Sequence, residues 1–231
     1  MNGYYLEERI RLFREKILAW FANHKRVFPW RQDNLSPYEL IIAEILLQRT
    51  KAETVSTFYT QFLAEFPNWQ ALVNADSITI ENYLIPIGLY RQRAQRLKKL
   101  AIYLVDNNGV LPLDRTELEN VPFMGQYIAN AVELLVFNKR KPLLDVNMAR
   151  VLERYFGPRK LSDIRYDPYL QQLAKDFVDH PDSKFLNWAI LDFAALVCKA
   201  RKPSCLSCLL NSTCKFFSDV VQIHDAGIHF E

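Results

Sequence analysis

Residues 114–150 read DRTELENVPFMGQYIANAVELLVFNKRKPLLDVNMAR and contain a helix, a turn and a second helix in close succession. Asp114 with Glu117 three positions later is a capping-box start, and we expect the short helix that follows to end before the next proline. Gly125 is expected to form the turn, because apolar residues recur at helical spacing directly after it, over residues 126–137. The stretch therefore predicts two helices joined by a tight hairpin.

Such a hairpin leaves backbone N–H groups without partners at the start of its second helix. These groups suit a phosphate of a nucleic acid backbone. The contact would position a duplex without reading its base sequence. The alternative is an ordinary helical hairpin that binds nothing.

Asp145 lies in the apolar run Pro142-Leu-Leu-Asp-Val-Asn-Met, ahead of a helix expected over residues 148–155. It is either the N-cap of that helix or, if Asn147 supplies the cap instead, a carboxylate with no structural duty. Acids placed among apolar residues without such a duty are candidates for function. Both interpretations of Asp145 are open on the pattern.

A second carboxylate, Glu44, lies inside an apolar helix. The helix has a strong start at Ser36, followed by proline, and is expected over residues 38–50. Glu44 has apolar neighbours on every side, so we expect its side chain to be buried. A buried salt bridge to Arg49 or Arg93 and an acid kept neutral for a function are both consistent with this pattern.

Composition excludes several classes of protein. The chain has 231 residues, half of them apolar, and a net charge of +3, which is typical of an ordered globular protein. It contains no apolar run long enough to span a membrane and no secretion signal at residues 1–8, so we expect it in the cytoplasm. Basic residues cluster at 91–99, 139–141 and 199–202, which suggests contact with nucleic acid rather than a merely solvated surface.

The remaining pattern is helical throughout. We see no strands, no internal repeats and no low-complexity tract. Further helices are expected at about residues 6–24, 52–63, 91–105, 169–179 and 184–197, and Asn74-Ala-Asp76 opens a short segment that ends near Leu84.

All four cysteines lie between residues 198 and 214 with the spacing C-x6-C-x2-C-x5-C, namely Cys198, Cys205, Cys208 and Cys214. Thiols this dense in a chain without a secretion signal favour a metal site over disulfides. Zinc and an iron–sulfur cluster are both compatible with four cysteine ligands.

Several of these segments resemble one family, the helix–hairpin–helix DNA glycosylases that include endonuclease III and the adenine and thymine mismatch glycosylases. The resemblance covers roughly residues 8–216. It rests on the hairpin Val121-Pro-Phe-Met-Gly-Gln-Tyr127 with Asp145 eighteen positions on, the motif Glu44-Ile-Leu-Leu-Gln-Arg-Thr50, Ile87-Gly-Leu-Tyr90 with Arg93-Ala94, and the cysteine spacing.

The resemblance implies an all-α protein of two lobes with a cleft between them. Residues 31–138 are expected to form a six-helix barrel domain that includes the helix–hairpin–helix. Residues 1–30 with 139–231 are expected to form the iron–sulfur cluster domain. The four cysteines then hold one structural 4Fe–4S cluster, and the basic turn Arg201-Lys202-Pro203 meets the phosphates of double-stranded DNA.

The same resemblance implies roles for individual residues. Asp145 stabilises the sugar cation that forms during base release, and Glu44 contacts the base flipped out of the duplex. Gln48 and Arg49 fill or flank the gap that this base leaves. Further DNA contacts are expected from Arg93, Phe123, Met124, Gly125 and Gln126.

The hairpin departs from the family at Phe123, which stands where the family has its first glycine. A residue other than glycine at positive φ costs about 1–2 kcal/mol. Either the turn is remodelled, or Phe123 acts as a wedge against DNA.

Tyr127 indicates the mechanism class. In bifunctional relatives a lysine at this position attacks the sugar and leads to strand cleavage, which a tyrosine cannot do. The alternative is that Tyr127 merely packs on the hairpin. With Glu44 and Arg49, a tyrosine here is most similar to the thymine mismatch enzymes, whereas adenine enzymes carry serine.

We therefore expect a monofunctional glycosylase without β-lyase activity, which excises thymine or uracil opposite guanine. It is expected to act as a monomer, in the cytoplasm and in association with the nucleoid. An adenine or modified-base glycosylase is the alternative, although the chain leaves no room for the extra C-terminal domain of adenine enzymes. A DNA-binding module without catalysis is the second alternative.

Overall fold

The computed structural model describes residues 3–219, and all the regular secondary structure in this part of the chain is helical. The all-helical class expected from the sequence is therefore confirmed. In chain order the α-helices are α1 (Gly3–His24), α2 (Pro37–Leu47), α3 (Ala52–Glu65), α4 (Trp69–Asn74), α5 (Ser77–Leu84), α6 (Tyr90–Asp106), α7 (Arg115–Asn120), α8 (Gln126–Leu135), α9 (Val146–Phe156), α10 (Pro168–Val178) and α11 (Ser183–Leu196).

The chain divides into two compact units. One consists of Met1–Arg26 with Arg140–Glu231, and the other is Val27–Lys139. We call them the terminal unit and the central unit. Within residues 3–219, no helix is both long and apolar enough to cross a membrane.

The central unit contains α2 to α8. Helix α2 packs against α8 and α3, and α6 packs against α4 and α5. The start of α2 is the complete capping box expected at Ser36: the Ser36 side chain accepts a hydrogen bond from Glu39 N, and the Glu39 carboxylate accepts one from Ser36 N. Helix α4 was not predicted, because six residues with an Asn68 cap are too few to show helical periodicity.

The core of the central unit is rich in aromatic side chains. Tyr59, Phe62 and Phe66 are at most 2% exposed. Each such buried side chain contributes about 1.5–3 kcal/mol to folding. This packing holds α2 in place, and α2 carries the first candidate acid.

The terminal unit contains α1 and α9 to α11, and α11 packs against both α1 and α9. The ring of Phe13 stacks on Tyr155 at a centroid distance of 4.7 Å and joins α1 to α9. A buried ion pair adds to this unit, since Arg26 donates from Nε to Oδ1 of the fully buried Asp192 at 2.7 Å. Helix α9 is thereby fixed between two neighbours, and its N-terminus carries the second candidate acid.

Candidate active site

Glu44 lies in the middle of α2 and is 5% exposed, as the sequence predicted. The hydroxyl of Tyr127, in the first turn of α8, donates a hydrogen bond to Glu44 Oε2 at 3.1 Å. Both residues belong to the central unit. Glu44 also lines a narrow crevice, too tight for a water molecule, whose other walls are apolar side chains of α2 and α8. An acid that is hydrogen-bonded in apolar surroundings is suited to bind or protonate a polar atom of a ligand.

Arg93 does not serve as the DNA contact that we expected, nor as the partner of Glu44. Its side chain is buried, at 6% exposure, and its guanidinium donates to the carbonyl oxygens of Leu46 at 3.0 Å and Gln48 at 2.5 Å. A third bond reaches Thr50 Oγ1 at 3.0 Å. The expectation was wrong because the sequence pattern does not show that the Arg93 side chain is buried and bonded to the end of α2.

The segment that Arg93 holds is the turn after α2. Gln48 is the C-cap of α2 and is half-buried. Arg49 follows with φ 57, a left-handed conformation, and its side chain is exposed. Among the residues that the structure describes, Arg49 makes no hydrogen bond or ion pair. Its cationic group is thus available to a ligand.

The hairpin between α7 and α8 forms as expected, but a different residue makes its turn. Phe123 takes φ 73, the left-handed conformation that favours glycine, although its own side chain is large. Gly125 has φ −62 and is the exposed N-cap of α8. Met124 is 1% exposed, so its side chain packs in the core and the expected DNA contact from this side chain is corrected.

Phe123 is half-buried against the core of the central unit, and the guanidinium of Arg96 lies 5.3 Å from the centroid of its ring. Gln126 is the first residue of α8, and its carbonyl oxygen accepts a weak bond from Arg115 at 3.4 Å. The exposed group at this hairpin is therefore the backbone around Gly125 rather than an apolar side chain.

A buried acid that sequence reasoning missed fixes α7 against α8. Glu133 is 2% exposed and accepts a bond from Arg115 at 2.5 Å and another from Lys139 at 3.2 Å. Arg115 also donates to Asn130 Oδ1 at 2.7 Å. The signal was present, because Glu133 interrupts an apolar helix in the same way as Glu44, but its cationic partners make it structural.

Asp145 is the N-cap of α9, which is one of the two interpretations that the sequence left open. Its Oδ1 accepts from Asn147 N at 2.9 Å and Met148 N at 2.8 Å, and its Oδ2 accepts from Asn147 Nδ2 at 2.6 Å. The helix starts at Val146, earlier than predicted, because an extended Asp145 reaches these two amides. Burial raises the pKa of the Asp145 carboxyl, and these three hydrogen bonds oppose that rise.

Asn147 and Arg150 extend the surroundings of Asp145 toward the cysteines. Arg150 donates to Asn147 Oδ1 at 3.1 Å and to the carbonyl oxygen of Cys198 at 3.0 Å. A third bond goes to the carbonyl oxygen of Ala194 at 3.0 Å. Asp145 and the first cysteine are therefore connected by a continuous chain of hydrogen bonds.

The backbone that leads to Asp145 is held by Asn187, which sequence reasoning missed. This side chain is fully buried in α11, and its Oδ1 accepts from Leu143 N at 2.7 Å. Its Nδ2 donates to the carbonyl oxygens of Lys141 at 3.1 Å and Ser183 at 2.9 Å. Nothing in the sequence distinguishes Asn187 from any other asparagine in an apolar helix.

The four cysteines are free thiols that line one cavity of about 400 Å³, part of it open to solvent. Arg154 Nη1 lies 3.5 Å from Cys198 Sγ, and Leu210 N donates to Cys208 Sγ at 3.4 Å. Burial raises the pKa of the Cys205, Cys208 and Cys214 thiols, and their mutual proximity raises it further. Within residues 3–219, no group of three or more histidine, cysteine or acidic side chains has the arrangement for a single metal ion.

Known proteins of similar sequence and structure share this arrangement of helices. The chain is 36% identical over 211 residues to the thymine/uracil-DNA glycosylase of Pyrobaculum aerophilum, covering 89% of this chain and 91% of that protein. It is 31% identical to the adenine DNA glycosylase of Buchnera aphidicola, covering 89% of this chain and 58% of that protein. The solved structure of a thermostable thymine-DNA glycosylase superposes with a TM-score of 0.84 at 31% identity, covering 92% of this chain and 98% of that one.

A family profile described as HhH-GPD superfamily base excision DNA repair protein matches residues 42–165, a segment that includes Glu44, the hairpin and Asp145. The resemblance seen in the sequence motifs is thereby confirmed. With more than half of its length matched, the chain belongs to the HhH-GPD superfamily of base excision DNA repair proteins.

Proposed function

We propose that the protein is a monofunctional DNA glycosylase that excises thymine or uracil opposite guanine. The observation that carries this proposal is the buried Glu44 carboxylate, hydrogen-bonded at 3.1 Å to Tyr127 of the hairpin helix. The proteins named as thymine or thymine/uracil glycosylases that are similar over most of this chain support the same substrate class.

Glu44 would act on the base. A target base must leave the duplex stack to be reached, and a mispaired base requires the least free energy for this step. Once the base is extruded, a buried acid can hydrogen-bond to it or protonate it as it leaves. The hydrogen bond from Tyr127 orients the Glu44 carboxylate for that contact.

Asp145 would act on the sugar. Cleavage of the bond between base and deoxyribose passes through a cation that resembles an oxocarbenium ion. A carboxylate close to that carbon stabilises the positive charge, and it can also orient or deprotonate the attacking water. Glu44 belongs to the central unit and Asp145 to the terminal unit, so their approach to the same nucleotide is part of the proposal.

Tyr127 accounts for the proposed absence of β-lyase activity. A lysine amine at this position would form a covalent Schiff base with the sugar, and strand cleavage would follow. The Tyr127 hydroxyl instead donates to Glu44. Water is therefore the nucleophile, and the product is an abasic site in an intact strand.

Double-stranded DNA is the proposed partner. Arg49 has an exposed guanidinium at a left-handed turn, and it would occupy the gap that the extruded base leaves, with Gln48 beside it. The backbone N–H groups around Gly125 and the first turn of α8 would bind a phosphate. We propose that the protein acts as a monomer, associated with the nucleoid.

The four cysteines would hold one 4Fe–4S cluster. Their thiols line a single cavity with N–H donors directed at two of the sulfur atoms, and such bonds stabilise charged sulfur. Ligands of a cubane cluster bind different iron atoms, so they lie farther apart than ligands of one ion. When bound, the cluster would cross-link the loop from Cys198 to Cys214. Arg201 and Lys202 of this loop are exposed.

Excision of adenine is the second candidate, and the 31% identity to an adenine DNA glycosylase favours it. A panel of duplexes carrying T·G, U·G and A·oxoguanine, with a fully paired control, separates the two candidates. Excision is read as strand breaks after hot alkali. We expect breaks with T·G and U·G only, whereas breaks before alkali contradict the monofunctional mechanism, and breaks only with A·oxoguanine favour the second candidate.

A further inference from the structure

Arg49 is held in a conformation that its own side chain does not favour. With φ 57 it lies in the left-handed region, which costs about 1–2 kcal/mol for a residue other than glycine. Such a conformation persists only where the surroundings determine it, and it often occurs at functional sites. The cause must therefore lie in the contacts that the neighbouring backbone makes.

The turn provides few bonds of its own. Gln48 N reaches the Ile45 carbonyl oxygen at 3.4 Å, and Thr50 N reaches the Leu47 carbonyl oxygen at 3.1 Å. The carbonyl oxygens of Leu46 and Gln48 lie at the end of α2, where no further turn of helix supplies donors. The Thr50 hydroxyl donates to the Gln48 carbonyl oxygen at 3.3 Å, so it is chiefly the buried Leu46 carbonyl oxygen that depends on a donor from outside the segment.

Arg93 of α6 supplies these donors from a position 43 to 47 residues away in the chain. Nη1 bonds to the Leu46 carbonyl oxygen, and Nη2 bonds to both the Gln48 carbonyl oxygen and Thr50 Oγ1. The three bonds bracket Arg49 on both sides. A planar guanidinium can make them at once, whereas a lysine ammonium at the same site is a single point donor.

We propose that Arg93 is a positioning residue that sets the backbone of residues 46–50 so that Arg49 faces the DNA. It acts through Arg49 and does not contact DNA itself. The proposal rests on the proposed function for its catalytic consequence, but the effect on the backbone is independent of that function.

The first test measures the backbone directly. Hydrogen exchange at the amides of residues 48–50 should become faster by at least tenfold in Arg93→Lys and in Arg93→Gln, while the amides of α3 keep their wild-type rates. The control is Lys98→Gln, which removes a bond from the same helix to the Ala75 carbonyl oxygen, at a different turn. Unchanged exchange at residues 48–50 in the Arg93 variants, or equal acceleration in the control, overturns the proposal.

The second test is a double-mutant cycle on single-turnover excision from a T·G duplex. Because small misplacements of functional groups cost about 10- to 100-fold in rate, we expect Arg93→Lys to lose at least tenfold. In an Arg49→Ala background the same change should lose less than twofold, since the group that Arg93 positions is already gone. If the excision rate of the double variant falls by the product of the two single losses, Arg93 acts independently of Arg49 and the proposal is refuted.

The two tests also separate this proposal from the proposed function. If the wild-type protein excises no base from any duplex of the panel, the proposed function fails. The exchange rates at residues 48–50 would still decide whether Arg93 positions the turn. A double-mutant cycle that measures DNA affinity would then replace the one that measures excision rates.

Discussion

The hydroxyl of Tyr127 donates a hydrogen bond to Glu44 Oε2 at 3.1 Å, and this bond joins the first turn of α8 to the centre of α2. We expect Tyr127→Phe to destabilise the protein by about 1 kcal/mol, because it removes a donor from a buried acid. Excision should slow as well, since the carboxylate loses the contact that orients it. Urea unfolding and single-turnover rates measure the two effects.

Tyr103→Phe is the matched control for this substitution. Tyr103 lies half-buried on α6, and within the described residues its hydroxyl makes no hydrogen bond. Its loss should change neither stability nor rate. If both variants slow excision equally, the hydrogen bond to Glu44 has no specific role.

Burial raises the pKa of the Asp145 carboxyl, and this has two consequences. In the proposed mechanism the ionised form is the one that stabilises the sugar cation, so single-turnover excision should rise with pH through the raised pKa of this carboxyl and then level off. The midpoint should lie above the ordinary aspartate value of about 3.9. A rate that is flat down to that value would show that Asp145 is not the group required in its ionised form.

The stability effect of Asp145 has the opposite direction. A raised pKa in the folded state means that the folded protein binds more protons than the unfolded chain between the ordinary and the raised pKa, so stability falls as pH rises through that interval. Asp145→Asn keeps an N-cap but removes the charge. The variant should therefore be at least as stable as wild type at pH 7, and the difference in stability should shrink in acid. Excision should be abolished, while DNA affinity is retained. Loss of stability and DNA affinity together would mean that the residue is architectural.

Sequence reasoning succeeded where the local pattern determines the local structure. The capping box at Ser36, the burial of Glu44 and the hairpin ahead of α8 depend on neighbours within a few positions, and these neighbours are visible in the chain. It failed for Arg93 and Met124, because their burial depends on packing between segments distant in sequence. An arginine in a basic helix looks like a DNA contact until its acceptors are known.

The two buried acids of the central unit illustrate the same limit. Glu44 and Glu133 each interrupt an apolar helix, and the pattern marks them equally. Glu133 has Arg115 and Lys139 among its partners, and Glu44 accepts a bond from the Tyr127 hydroxyl of the hairpin helix. Only the fold shows these contacts, because each of them joins residues from different segments of the chain. The cap at Asp145 shows the reverse, since one residue serves α9 and is still proposed to act on the sugar.

Removing one thiol tests the proposed cluster. Cys208→Ala should abolish bound iron and sulfide, which in the wild-type protein should be present at four of each per chain. Without this cross-link the loop from Cys198 to Cys214 should become susceptible to protease, and DNA affinity should fall. Ser207→Ala, in the same loop, is the control and should retain iron. A wild-type protein that binds zinc, or no metal, contradicts the proposal directly.

Asn187 and Ser183 provide a matched pair in α11. Asn187→Ala removes the hydrogen bonds to the Leu143 amide and the Lys141 carbonyl oxygen, and we expect a loss of about 2–3 kcal/mol together with slower excision, because the segment before Asp145 is released. The hydroxyl of Ser183 is buried and, in the described part of the chain, has no hydrogen-bond partner. Ser183→Ala should therefore be neutral or slightly stabilising. Equal losses from both substitutions in urea unfolding would show that general packing, rather than the bonds of Asn187, is responsible.

The hairpin offers a test of backbone strain that is independent of side-chain packing. Phe123→Ala and Phe123→Gly both remove the ring and its contact with Arg96, but only glycine is relaxed at φ 73. The glycine variant should therefore be more stable than the alanine variant by about 1 kcal/mol. Gly125, two residues later, has φ −62 and an added Cβ meets nothing within 4 Å, so Gly125→Ala introduces no backbone strain. It should change stability by less than about 1 kcal/mol, because the weakness of alanine as an N-cap opposes its gain in the unfolded chain. Thermal or urea unfolding of these three variants measures the effects, and an alanine variant at position 123 as stable as the glycine variant would mean that the positive φ there carries no strain.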